Sequence, residues 1–106
     1  MNDTFKQGHF SLAGSRKNLI GPRLRSIRKE IRPKVSQDDL SGRLASLGIT
    51  LDRSAISRIE NQDRAINDVE IVAISRALGI KVEKFFEGLT YRQWSDLEAL
   101  GKVAED

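Results

Sequence analysis

Arg53, Ser54, Ser57, Arg58 and Asn61 fall within nine consecutive residues, at intervals that put all five on one side of an α-helix. Ala55, Ile56 and Ile59 take the other side. The polar five are hydrogen-bonding groups of graded length. An arginine fork matches two adjacent acceptors such as guanine O6 and N7, and a serine hydroxyl reaches several base edges. Plain solvation accounts for the same face, since surface helices are normally polar outside. Other chemistry has few tools. The 106-residue chain contains no cysteine and one histidine, His9, which excludes disulfides, thiolate zinc sites, thiol nucleophiles and multi-histidine metal centres. Ser11 and Ser54 lack a histidine base, Asp38 and Asp39 read as helix-start charges, and no glycine-rich phosphate loop occurs. Neither enzymatic activity nor a metal or other cofactor is expected.

Charge is more informative than its total. Eighteen Lys and Arg against 15 Asp and Glu give +3, but residues 1–34 hold nine cations against Asp3 and Glu30, or +7, which leaves −4 for the rest. Such asymmetry is the electrostatic footprint of a polyanion partner, or more simply a solvated basic surface. The length fits one small domain. No apolar run approaches the roughly 20 residues of a membrane-spanning helix, and the amino terminus has no signal-like apolar stretch. A cytoplasmic, non-membrane protein is expected.

The elements that must carry the polar set are punctuated clearly. Residues 1–18 show no period and are rich in Gly, Ser and Asn, which reads as a flexible basic arm. From Leu19 the spacing of Ile20, Leu24, Ile27 and Ile31 predicts a helix, with Pro22 in its first turn and Arg32-Pro33 as its end. Ser36 reads as the cap of helix two, with Asp39 in the reciprocal position, Val35 stapling onto Leu40, and an apolar face of Leu40, Leu44 and Leu47 ended by Gly48. Asp52 caps helix three, which runs to about Asn61, with Leu51 and Ile56 as its stapling pair. Asn67 with Glu70 opens helix four, and Ile66 faces Ile71. Ile71, Val72, Ala73, Ile74 and Leu78 make it the core helix, ended by Gly79. Val82, Phe85 and Phe86 predict a short fifth helix. In residues 89–106, Tyr91, Trp94, Leu97 and Leu100 are compatible with an extra C-terminal helix, as a flap on the core or a contact for another subunit. Nothing reads as strand, so the expected class is all-α, with one domain over 19–88.

These segments, IGPRLRSIR, SQDDL, DRSAISRIENQDR, DVEIVAISRALGI and KVEKFF, occur in the order and approximate spacing of the lambda-repressor/Cro-like (XRE-type) helix-turn-helix family, and residues 20–86 resemble that five-helix DNA-binding domain. The resemblance implies a sequence-specific transcriptional regulator that binds double-stranded DNA as a homodimer. It makes Arg53, Ser54, Ser57 and Arg58 the major-groove readers and gives backbone phosphates to Gln37, Asn61 and Arg64. Ser36 caps helix two with its amide end toward phosphate, and Arg28 with Glu60 forms a structural salt bridge between helices one and three. The departures are a longer helix two or connector, 16 positions from Leu40 to Ile56, two extra residues around Pro33, Ser41 in place of a small alanine, and Gln62 where glycine usually ends helix three. Glutamine reaches positive φ less readily than glycine. Relatives that act as antitoxins or scaffold partners offer the alternative of a protein-interaction module working through residues 89–106.

Overall fold

A computed structural model describes residues 16–88. It contains four α-helices, α1 (Gly21–Glu30), α2 (Gln37–Ser46), α3 (Arg53–Glu60) and α4 (Asp68–Leu78), followed by a 3-10 turn, Val82–Phe86. The described residues contain no strand. Val82–Phe86 stands where a short fifth helix was expected and is a 3-10 turn; five residues between Lys81 and Glu87, both extended, give room for little more than one tight turn. The extra C-terminal helix lies outside the described residues, as does the expected arm up to residue 15.

Side-chain caps decide where the helices start. At α2 the Ser36 hydroxyl accepts from the Asp39 N–H at 2.9 Å, and the Asp39 carboxylate accepts from the Ser36 N–H at 3.0 Å. Asn67 and Glu70 repeat this reciprocal box at α4, at 2.8 and 3.1 Å, while Asp52 accepts from the Ala55 N–H at 2.8 Å to start α3. Each such cap contributes about 1 kcal/mol. Gly48 (φ +85°) and Gly79 (φ +71°) turn the chain out of α2 and α4 in the left-handed region that glycine enters without strain. Helix α1 is shorter than its periodicity predicts. Ile20 is its N-cap and Ile31 is already extended (ψ 142°), because the chain leaves the helix before the restricted residue that precedes Pro33.

Ile20, Leu24, Val35, Leu40, Leu44, Ile56, Ile59, Ile74 and Phe85 form the solvent-free centre. Helix α2 packs on α3 and α4, α1 packs on α3, and the 3-10 turn closes on α4. Two expected core residues are outside it. Leu47, placed on the apolar face of helix two, is 41% exposed, and Val72, assigned to the core helix, is 55% exposed. Leu47 follows the last residue of α2 and swings out at the C-cap, whereas Val72 lies on the side of α4 away from Ala73, Ile74 and Leu78.

Candidate nucleic-acid interface

Helix α3 is short, and both its faces are accounted for. Ala55, Ile56, Ile59 and Glu60 are buried, whereas Arg53, Ser54 and Arg58 are exposed, Ser57 is half-buried and Asn61 stands exposed at the C-cap. The exposed set is held by a buried ion pair beneath it. Arg28 of α1 donates from Nε to Glu60 Oε2 at 2.7 Å and from Nη2 to Oε1 at 2.9 Å, and its Nη1 reaches the Val35 carbonyl at 3.0 Å. The side chains of Arg28 and Glu60 are 7% and 2% exposed. Gln37, the first residue of α2, donates to Glu60 Oε1 at 3.0 Å. One carboxylate at the end of α3 therefore ties the start of α2 to α1, and the Arg28 guanidinium that it holds also fastens the passage before α2 at Val35, by charge-assisted bonds in a water-poor site.

Above that brace a cleft of about 310 Å³ opens between α2 and α3, lined by Arg28, Lys34, Ser36, Gln37, Asp38 and Arg53. The capping box occupies the amides of Ser36 and Asp39, so the outward amides at this helix start are those of Gln37 and Asp38. Its backbone bond from Ser36, then the Ser36 hydroxyl, hold the Asp39 carboxyl below its ordinary range, so the charge that completes the cap is present at neutral pH. Arg53 lies 3.8 Å from Asp38 with both side chains about 70% exposed. That contact is loose enough to exchange for a phosphate or a base.

The structure brings Ser36, Gln37 and Arg53 to one cleft and sets Ser54, Ser57, Arg58 and Asn61 along and beyond the same helix. Arg64 stands apart. Its fork meets Glu70 at 3.1 and 3.2 Å and its Nη1 also reaches the Ala65 carbonyl. The hydrogen bond from Arg64 pulls the Glu70 carboxyl down, and the same bond raises the guanidinium. The guanidinium thus orders the loop onto the first turn of α4.

Residues 24–85, more than half of the chain, match the helix-turn-helix family model. The chain belongs to the lambda-repressor-like helix-turn-helix family. No curated protein and no solved structure gives a significant match. As a helix-turn-helix domain it carries the fold of DNA-binding proteins, with the α2–α3 pair in the position of the family's motif. No helix among the described residues is long and apolar enough to cross a membrane.

Three positioning features of this helix-turn-helix domain escaped the periodic patterns. Asn18, placed by composition in the arm, is buried; its Nδ2 donates to the carbonyls of Ile59 (2.9 Å) and Arg64 (2.8 Å), and its Oδ1 accepts from the Gly21 N–H at 2.8 Å. The spacing Asn18-x-x-Gly21 before a helix was the available signal. Gln62 adopts φ +63° despite its side chain, and its Nε2 donates to the Asn18 carbonyl at 3.0 Å while the Lys17 N–H reaches the Gln62 carbonyl at 2.9 Å. A residue that a glycine pattern marks as a departure is thus the clamp between the end of α3 and the start of α1. Arg23 counts toward the basic amino half but is buried, donating to the Lys84 and Glu87 carbonyls. Burial pushes its guanidinium below the usual range, against the opposing charges of Glu87 and Glu30.

Proposed function

We propose that this helix-turn-helix protein is a sequence-specific regulator of transcription that binds double-stranded DNA with α3 in the major groove. The observation that carries this reading is the exposed polar face of α3 fixed from below by the buried Arg28–Glu60 pair and the half-buried Gln37 bonded to it. A reading helix must present its donors in one geometry, and rigid support lowers the ordering cost of binding. Arg53 and Arg58 are long enough to fork onto guanine, with Ser54 and Ser57 taking closer base edges. Ser36, Gln37 and Asn61 face the backbone, and Arg25, Lys29, Arg32 and Lys34, all exposed, supply sequence-independent attraction. Arg64 adds to phosphate binding through the loop it orders. One such helix reads only a few base pairs, so the protein works as a homodimer on two half-sites about one helical turn apart, in the cytoplasm.

Selection of bound sequences from a random duplex pool tests this directly. A palindromic or repeated half-site is the expected outcome, and retention no better than unrelated competitor DNA overturns the reading. Arg53→Ala and Arg58→Ala are expected to cost about 1–3 kcal/mol at the selected site and to relax its base preference, whereas Asn61→Ala weakens all duplexes alike.

A further inference from the structure

The large apolar side chains that are exposed among the described residues are Leu47, Val69 and Val72, and all three line one groove of about 430 Å³, together with Ile49 and flanked by Asp68 and Arg76. They lie outside the buried core, to which Leu44 of α2 and Ile74 and Leu78 of α4 belong. We propose that this face receives a second copy of the chain, α4 packing antiparallel on α4 about a two-fold axis at Val72. The occupant follows from the charges. Asp68 and Arg76 lie four residues before and four residues after Val72 on one outer stripe of α4, about 6 Å along the axis to either side. Reversing the helix exchanges their places, so each Asp68 meets the other copy's Arg76 while the two Val72 side chains meet at the axis. A patch that is complementary to itself under a two-fold rotation is what a closed dimer requires. Asp68 and Arg76 are both exposed, and Asp68 uses one oxygen on the Val69 N–H at 2.8 Å. Leu47 and Ile49 come from the connector that follows α2 and broaden the apolar floor of the groove. The proposal rests on the dimer in the DNA-binding reading and assigns it a surface.

Sedimentation equilibrium on the full chain tests it, with circular dichroism to establish that each variant is folded. The wild type is expected to dimerise. Val72→Glu, at a side chain already half in solvent, is expected to stay folded and become monomeric. Arg76→Asp brings like charges together twice and is expected to weaken the dimer about tenfold or more. Asp68→Arg does the same with the opposite sign, and mixing the Asp68→Arg chain with the Arg76→Asp chain is expected to restore a heterodimer. A monomeric wild type overturns the proposal, as does a folded Val72→Glu chain that dimerises like the wild type. So does a dimer lost only on deletion of residues 89–106, which assigns self-association to the tail. Duplex binding separates the two readings: a Val72→Glu monomer that keeps its base preference at lower affinity supports both, whereas a charge-dependent dimer with no DNA preference sinks the regulator alone.

Discussion

Replacing Glu60 by Ala removes the group on which α1, α2 and α3 converge, and the size of the effect follows from what is left behind. Arg28, with a side chain 7% exposed, keeps only the Val35 carbonyl at 3.0 Å, and a buried charge deprived of its partner costs about 3–5 kcal/mol. A domain of roughly 70 residues has a total stability of about 4–10 kcal/mol. The substitution therefore removes a third or more of it, and with a urea dependence of about 1 kcal/mol per molar the unfolding midpoint falls by about 3–5 M. The double replacement Arg28→Met with Glu60→Leu has a different expected outcome. Exchanging the pair for apolar side chains of similar volume leaves no orphaned charge and is neutral or stabilising, yet Gln37 loses its acceptor and its fixed orientation. Its melt is expected to match or exceed that of the wild type while affinity for every duplex falls about three- to tenfold, the equivalent of one hydrogen bond. Urea melts and fluorescence anisotropy on a labelled duplex measure the two effects separately. A Glu60→Ala midpoint within about 1 M of the wild type refutes the desolvated pair, and full affinity in the double variant refutes the role given to Gln37.

The clamp around α3 makes further predictions. A Cβ at Gly21 meets the Ile59 carbonyl at 2.2 Å and the Glu60 carbonyl at 3.0 Å, both backbone, so Gly21→Ala is expected to cost about 1–3 kcal/mol by thermal melt and to weaken DNA binding by shifting α3. Gln62→Gly relieves positive-φ strain while losing one buried bond, and is expected within about 1 kcal/mol of the wild type; Gln62→Ala keeps the strain, loses the bond, and is expected to be clearly less stable. Asp39 and Glu70 both have carboxyls held below their ordinary range in the folded state. Their contribution is complete above the unfolded values near 4 and is lost as pH falls through the lower folded ones. Stability is therefore expected to be level from pH 7 to about 5 and to decline below about 4, and Glu70→Gln should lose stability at neutral pH and flatten that decline.

Local features were the legible part of this chain. Ser36, Asp52 and Asn67 announce their helices because capping is a contact between residues three apart, and Gly48 and Gly79 end two of them because positive φ needs no distant partner. The apolar repeats likewise marked Leu24, Leu40, Ile56 and Ile74 as interior. Leu47 and Val72 were misplaced because a stripe of apolar residues does not reveal where a helix stops or which side of it a neighbour covers. The burial of Asn18, Arg23 and Gln62 stayed hidden for one shared reason. Each is polar by type and buried by virtue of carbonyls between 41 and 64 residues away, and no window along the sequence contains both ends of such a bond.

The same distinction bears on the basic amino half. Two of its nine cations, Arg23 and Arg28, are buried and committed to carbonyls or to Glu60, so they cannot release counterions from DNA. Arg25, Lys29, Arg32 and Lys34 remain exposed along α1 and the passage into α2. Each phosphate contact adds about 0.9 to the salt slope of binding, so neutralising Lys34, which lines the α2–α3 cleft, lowers that slope by about one, while Arg23→Leu leaves it unchanged in whatever fraction stays folded. Charge counted along a sequence overstates the field that a nucleic acid meets. What it meets is the part that the fold has no internal use for.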